Sequence, residues 1–165
     1  ISTSTRTLLR YTSILEEVFL FFFIPIFTRK MREQAKYPKK IYAVDVGLRN
    51  VVYSSEDLGK KAENIVFLEL KRRSGNKEIN YWKSQLGEEV DFIIKEGLQI
   101  KELIQVSWDI SNVKTKEREV KALIKAMEEF KLKKGYIINN EIEKIEKIKG
   151  KKIRYIPLWK WLLEK

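Results

Sequence analysis

Three strand-like stretches follow one another between Glu78 and Trp108, and they constrain the fold of this chain more than any other feature. Turns at Gly87 and Gly97 separate the stretches. Within each one, apolar and polar residues alternate with the period of two that is typical of a strand. Strands joined by such short turns pair as neighbours in one sheet. The stretches are EINYWKS, EEVDFIIK and the segment Leu98–Trp108.

Helical patterns stand on either side of these strands, and a further strand follows. The order αβββαβ predicts an α/β (α+β) fold in which helices flank a central mixed sheet. The charged stretch EIEKIEKIKGKK fits either a solvated hairpin or a short helix. The predicted elements beside the three strands are a helix over Asp57–Arg73 capped by Ser54 or Ser55, a helix over Lys114–Lys131 that Gly135 ends, strands YIIN and IRYIPL, and a closing helix WKWLLEK.

The first 46 residues have a different character. A helix is predicted from Ser4 to Glu17, and two apolar strands follow, one over Phe19–Phe27 and one in IYAVDV, joined by the basic loop TRKMREQAKYPKK. This arrangement resembles the second half of a winged-helix module. We therefore predict two parts, a partial winged-helix-like segment over residues 1–46 and a second domain over 47–165.

Composition limits the chemistry that the chain can carry. It has no cysteine and no histidine, which excludes disulfides, thiolate metal sites and the usual zinc sites and proton shuttles. Carboxylates, amides, hydroxyls and lysines remain. These oxygen ligands suit a hard cation such as Mg²⁺ better than a soft one.

The charge balance favours a polyanionic partner. With 34 Lys+Arg against 23 Asp+Glu, the net charge is +11, which points to nucleic acid first and an acidic membrane surface second, although heat-adapted proteins are also rich in surface charge. The apolar run Val18–Phe27 is too short to span a bilayer. No secretory signal is visible, so we expect a cytoplasmic location and no membrane partner. The chain opens without Met, and we expect it to be a piece of a longer protein.

Oxygen-bearing side chains are predicted to meet on one side of the sheet. Strict alternation places Asp91 on the same side as Gln105 and Ser107 of the next strand. On the preceding helix, Glu63 falls inside the apolar arc. A helix acid, a strand acid and a third acceptor could hold Mg²⁺ and activate water for phosphodiester hydrolysis. Alternatively, Asp91 ends a strand ladder and Glu63 pairs with an arginine or a backbone amide.

These residues carry a family resemblance. Glu63, GEEVDF at Gly87–Phe92 and QVS at Gln105–Ser107 resemble the PD-(D/E)XK nuclease pattern. More narrowly, the chain resembles the C-terminal part of archaeal-type AAA ATPases that carry a PD-(D/E)XK-like domain of unknown function. The stretches that carry this second resemblance are TRTLLRY, KKIYAVDVGLRN, GKKAENIVFLEL and IRYIPLWKWLL.

The resemblance implies a restriction-endonuclease-like core, a heat-adapted archaeal source, and an N-terminal ATPase module as partner in the same full-length chain. It makes Glu63, Asp91 and Gln105 the metal ligands. Ser107 stands at the position of the catalytic lysine, and a hydroxyl supplies no positive charge. Lys101 and Lys83 are candidates for a migrated lysine, and both also fit the pattern of solvated surface residues. No GxxxxGK[ST] motif occurs, so this chain is not itself the ATPase.

Two basic segments are candidates for nucleic-acid contact. One lies at the end of the Glu63 helix and the other lies in the basic loop of the hairpin, and both can reach phosphates. The sequence leaves three functions open: a DNA-associated nuclease-fold domain without cutting activity, which we favour, an active Mg²⁺-dependent nuclease, and a structural cap on the ATPase. The residues predicted to contact nucleic acid are Lys71, Arg72, Arg73, Lys77, Arg29 and Lys30.

Overall fold

A computed structural model describes residues 4–48 and 57–164. Their principal elements follow the predicted αβββαβ order from residue 57 onward, after an N-terminal helix and hairpin. In chain order they are α1 (Thr5–Glu17), β1 (Phe21–Ile24), α2 (Met31–Gln34), β2 (Lys40–Ala43), α3 (Leu58–Arg73), β3 (Glu78–Lys83), β4 (Glu89–Glu96), β5 (Gln99–Val106), α4 (Val113–Glu129), β6 (Lys134–Asn139), β7 (Lys144–Ile148), β8 (Lys151–Pro157) and α5 (Leu158–Leu163).

A six-stranded mixed sheet forms the centre of the molecule, with the strand order β3-β4-β5-β6-β8-β7. The first three strands are antiparallel, β5, β6 and β8 run parallel to one another, and β7 pairs antiparallel with β8. The parallel step from β5 to β6 needs a crossover, which α4 provides. The prediction of a mixed sheet flanked by helices is confirmed.

A different helix covers each face of the sheet, α3 one face and α4 the other. Each helix packs on the sheet through an apolar stripe. On one face, Val66 and Phe67 of α3 pack with Phe92, while on the other, Leu123 and Met127 of α4 pack in a second cluster. Side-chain oxygens cap the helix starts: Ser4 for α1, Asp57 for α3 and Asn112 for α4. The predicted caps Ser54 and Ser55 lie outside the described residues.

The N-terminal hairpin shares its core with the sheet. Strands β1 and β2 pair antiparallel, as the two apolar stretches predict, and β1 ends at Ile24, before Pro25. Ile24, Ile26 and Tyr42 lie in the same apolar cluster as Val66. Ile26 also forms a bridge with Tyr81 of β3. The hairpin is therefore fixed to the face of the sheet that α3 covers.

In the C-terminal half, the structure contradicts one sequence prediction and decides between two alternatives that another prediction left open. Helix α4 ends at Glu129, and Lys131 makes the turn with a φ of 57°. Gly135 does not end the helix. It lies within β6, where a Cβ atom would stand 2.9 Å from the sulfur of Met127. The charged stretch forms a hairpin, β7–β8, and not a helix.

Residues 4–48 and 57–164 contain no helix that is both long enough and apolar enough to cross a bilayer. Helix α1 has no buried residue, and its apolar side chains, including Leu9 and Tyr11, are exposed.

Candidate functional site

A β-bulge decides which way Asp91 points. Asn80 of β3 pairs with Ile93 and Trp82 pairs with Val90, so the single residue Tyr81 stands opposite both Asp91 and Phe92. Such a bulge breaks the alternation of side chains along the strand. Asp91 therefore points to the same face as Phe92, toward α3.

Glu63, Glu89 and Asp91 gather at this bulge, and we call them the carboxylate cluster. The ammonium of Lys40, at the start of β2, lies among them. Its Nζ is 2.7 Å from Oδ1 of Asp91, 2.8 Å from Oε1 of Glu89 and 3.0 Å from Oε1 of Glu63. The hairpin thus supplies a positive charge to acids of the helix and of the sheet.

Neighbouring groups hold the cluster in place. The hydroxyl of Tyr42 donates to Glu63 at 2.6 Å, and the Tyr42 ring stacks on Phe67 with 4.4 Å between ring centroids. The backbone N–H of Val106 donates to Asp91 at 2.9 Å. Asn64 fixes β2 to α3, since its amide both accepts from the N–H and donates to the C=O of Ala43, each at 2.9 Å.

The charges in the cluster shift one another's titration. For Lys40, burial lowers the pKa, but Asp91, Glu63 and Glu89 together outweigh burial and raise it, so the ammonium keeps its proton. Burial, and then Glu63, raises the pKa of Asp91. Burial and Glu63 also raise the pKa of Tyr42, which therefore acts as a hydrogen-bond donor. Because one ammonium is shared by three carboxylates, negative charge is in excess at the cluster.

Gln105 lies on the other face of the sheet, so the expectation that it shares a side with the Asp91 carboxylate is wrong. Its amide donates to Glu119 of α4 at 2.6 Å, while its oxygen accepts from the backbone N–H of Asp91 at 3.1 Å. The reason is the bulge, which turns Asp91, while β5 alternates regularly from Leu103 to Val106. Ser107 is buried just after β5, and its backbone N–H donates to Ile138.

The two candidate lysines are placed differently. Lys83 borders the cluster, with its Nζ 3.6 Å from Glu89. Lys101 donates to Gln99 at 2.8 Å and lies near Glu96, away from the cluster. The lysine that reaches Asp91 is Lys40, which the sequence did not single out.

Several of the predicted nucleic-acid contacts are already engaged within the fold. Arg72 and Arg73 both pair with Glu69, and Arg73 also donates to the carbonyls of Trp161 and Leu162. Lys30 pairs with Glu33 at 3.5 Å. Arg29 and Lys71 are exposed, and Lys77 is half-buried at the edge of a groove.

The donor set does not fit Mg²⁺ as the side chains stand. Within residues 4–48 and 57–164, no group of three or more acids has the arrangement of a metal site. Lys40 occupies the space that a cation would take between Glu63 and Asp91, and Gln105 faces away from it. A divalent ion would have to displace the ammonium.

Sequence patterns indicate some residues of this site but not others. Glu89 stands two positions before Asp91, so alternation already groups the two acids. Nothing distinguishes Lys40 from Lys39 in the sequence KYPKK. Long-range packing of β2 on α3 brings Lys40 to the cluster, and no local pattern records that contact.

Comparisons with known proteins identify relatives without a described function. Residues 58–161 match the family model described as "Domain of unknown function (DUF4143)", and residues 1–62 match "Domain of unknown function (DUF8612)". An uncharacterised protein of Methanocaldococcus jannaschii is 36% identical over 169 residues, which is 97% of this chain and 37% of the relative. An uncharacterised protein of Haemophilus influenzae is 30% identical over 112 residues, 67% of this chain and 27% of the relative. The chain thus spans well under half of these relatives, and no solved structure gives a significant match.

Proposed function

This chain belongs to the family of the domain of unknown function DUF4143, and we propose that it is a DNA-associated domain with a nuclease-like core that does not cut. In the full-length protein it acts beside an ATPase module. The resemblance of the sequence to PD-(D/E)XK domains of AAA ATPases supports this proposal. So does the size of the relatives, which have room for such a module.

The contact of Lys40 with the carboxylate cluster carries the proposal. A metal-dependent phosphodiesterase needs open oxygen ligands for its ion and a positive group beside the attacked phosphate. Here the single ammonium of Lys40 contacts Glu63, Glu89 and Asp91, and Tyr42 takes up a further position on Glu63. Lys40 therefore occupies the position that a metal ion would need, although its one positive charge does not neutralise all three carboxylates.

An active Mg²⁺-dependent nuclease is the second candidate function. It is favoured by one observation, the convergence of Glu63, Asp91 and a lysine at one point. In this alternative, Lys40 moves off the acids, two of them bind the ion, and Lys40 or Lys83 orients the attacking water.

A cleavage assay distinguishes the domain that does not cut from the active nuclease. The whole chain is incubated with linear, nicked and branched DNA in the presence of Mg²⁺ or Mn²⁺, beside an Asp91→Ala variant. We expect no cleavage by either protein. Cleavage by the wild type that Asp91→Ala abolishes would overturn the proposal in favour of the nuclease. Binding of the same DNAs, measured by fluorescence anisotropy, is expected to weaken as salt rises.

A further inference from the structure

Three exposed lysines lie side by side at the β7 edge of the sheet. Lys134 of β6 stands directly opposite Lys152 of β8, and Lys152 stands directly opposite Lys147 of β7. Residues that pair across adjacent strands point to the same face, and the strands are about 4.8 Å apart. The three side chains therefore form one line across three strands, which we call the lysine row.

The lysine row costs stability, because like charges directly opposite each other in a sheet repel. Elsewhere in this sheet, opposed charges are complementary: Glu78 faces Lys95 at 2.8 Å, and Lys83 faces Glu89. Among the ion pairs of the described residues, none includes a lysine of the row. Lys134 lies over the Tyr136 ring, with 4.7 Å from its Nζ to the ring centroid, and its charge acts on Glu164. Lys147 and Lys152 have no acid partner among those ion pairs, which points to a compensating anion from outside the fold.

A groove continues from the row along the same face. Two positions further along β6 and β8, Tyr136 stands opposite Arg154, and both line a groove of about 340 Å³. The other end of the groove contains Arg73 and Lys77, at the end of α3. Arg154 is paired with Glu164 and Arg73 with Glu69. Glu102 also lines the groove and offsets the charge of Lys77, so the net positive charge of this surface comes from the row.

We propose that the lysine row and the adjoining groove bind the phosphodiester backbone of a nucleic acid. This inference rests on the proposed function and assigns it a surface. Discrete ammonium groups in a line suit successive phosphates. The surface recedes into a groove beyond Tyr136, which accepts a strand but not a flat bilayer. An interfacial helix instead presents a broad apolar face to the membrane.

The test compares two triple variants of the whole chain that lose equal charge. In the first, Lys134, Lys147 and Lys152 become Gln. In the control, Lys60, Lys114 and Lys121, which are exposed on α3 and α4, become Gln. Binding of labelled single-stranded and duplex DNA is measured by fluorescence anisotropy over a range of salt concentrations. Vesicles of phosphatidylserine, with phosphatidylcholine vesicles as reference, serve as the membrane probe.

The row variant is expected to bind DNA roughly tenfold or more weakly than wild type, and the slope of log affinity against log salt is expected to fall by about 2 for single strands. The control variant should lose much less. Thermal unfolding checks the fold, and the row variant should be at least as stable as wild type because repulsion has been removed.

Other outcomes separate the two proposals. If both variants bind DNA as wild type does, or lose affinity equally, the lysine row is not the binding surface, while DNA association stands. If wild type binds no DNA at any salt concentration, the proposed function fails, and this inference fails with it. If the row variant loses only phosphatidylserine vesicles and keeps DNA, the surface binds membranes, and the inference is overturned.

Discussion

Lys40 is the residue on which the chemistry of the candidate site depends. Its side chain is 19% exposed and that of Asp91 is 10% exposed, so the ion pair is shielded from water on most sides. Lys39, its neighbour in sequence, is exposed. Two adjacent lysines therefore have unequal roles, because only one of them points inward from β2.

Replacing Lys40 by Met is expected to destabilise the fold, since it leaves Glu63, Glu89 and Asp91 without their shared cation. The cost should be about 3 kcal/mol in the free energy of unfolding, nearer to the value for a buried pair than to that for a surface pair. Urea denaturation measures the change. Lys39→Met is the matched control and should cost less than about 0.5 kcal/mol.

The Lys40→Met variant also tests whether the carboxylate cluster binds a divalent cation once the ammonium has been removed. Without the ammonium, the carboxylates are open to a hard divalent ion, so millimolar Mg²⁺ should raise the unfolding midpoint of Lys40→Met and leave that of Lys39→Met unchanged. Equal responses of the two variants to Mg²⁺ would show that the ion acts elsewhere.

At the scale of single elements, two local features shape the packing of the sheet. One is the bulge in β4, and the other is the glycine at the contact between α4 and β6. The bulge at Asp91 and Phe92 turns one acid toward α3. On the other face, Gly135 lets α4 approach β6 closely. An added Cβ would meet Met127 at 2.9 Å and Leu123 at 3.2 Å.

Gly135→Ala is therefore expected to overpack the α4 face. The free energy of unfolding should fall by about 1–3 kcal/mol, as measured by urea denaturation. Because the clash is with the sulfur of Met127, the substitution should cost less in a Met127→Ala background than in wild type. A cost that is the same in both backgrounds would show that the contact with Met127 is not its cause.

At the scale of the whole molecule, charged side chains join elements that are distant in sequence. Arg73 of α3 donates hydrogen bonds to the carbonyls of Trp161 and Leu162 in α5, and Lys116 of α4 forms an ion pair with Glu146 of β7 at 2.7 Å. Hydrogen bonds from Arg72, against a smaller opposing effect of burial, lower the pKa of Glu69 to about 2. Burial opposes the change at Glu146, but Lys116 and Lys144 outweigh it and lower that pKa to about 2.

These lowered values set a direction for stability against pH. The unfolded chain takes up protons near pH 4.5, while folded Glu69 and Glu146 remain ionised to about pH 2. Their stabilisation is therefore complete above about pH 4.5 and is lost as the pH falls toward 2.

Glu69→Gln isolates one part of this effect. Its urea midpoint should lie below that of wild type at pH 6, and the two midpoints should converge by about pH 2. Glu128→Gln, which changes an exposed acid on α4, is expected to follow wild type throughout. A difference between Glu69→Gln and wild type that persists undiminished at pH 2 would contradict an ionic role for Glu69.

The sequence alone was enough for much of the architecture. Alternation in EEVDFIIK, the apolar stripe of α4 and the turns at Gly87 and Gly97 are local signals, because the period of side chains along a strand or helix depends on the backbone of that element alone. The order αβββαβ and the mixed sheet followed from them. The same signals placed Glu63 inside the apolar arc of its helix.

Only the tertiary structure decided what the acids do. A bulge in β4 reversed the face of Asp91 relative to Gln105, and the docking of β2 on α3 brought Lys40 between Glu63 and Asp91. The alignment of Lys134, Lys147 and Lys152 likewise depends on the pairing of three strands. Each of these arrangements arises from contacts between segments far apart in the chain, and the free energy of such contacts is not encoded in the local period of any one segment.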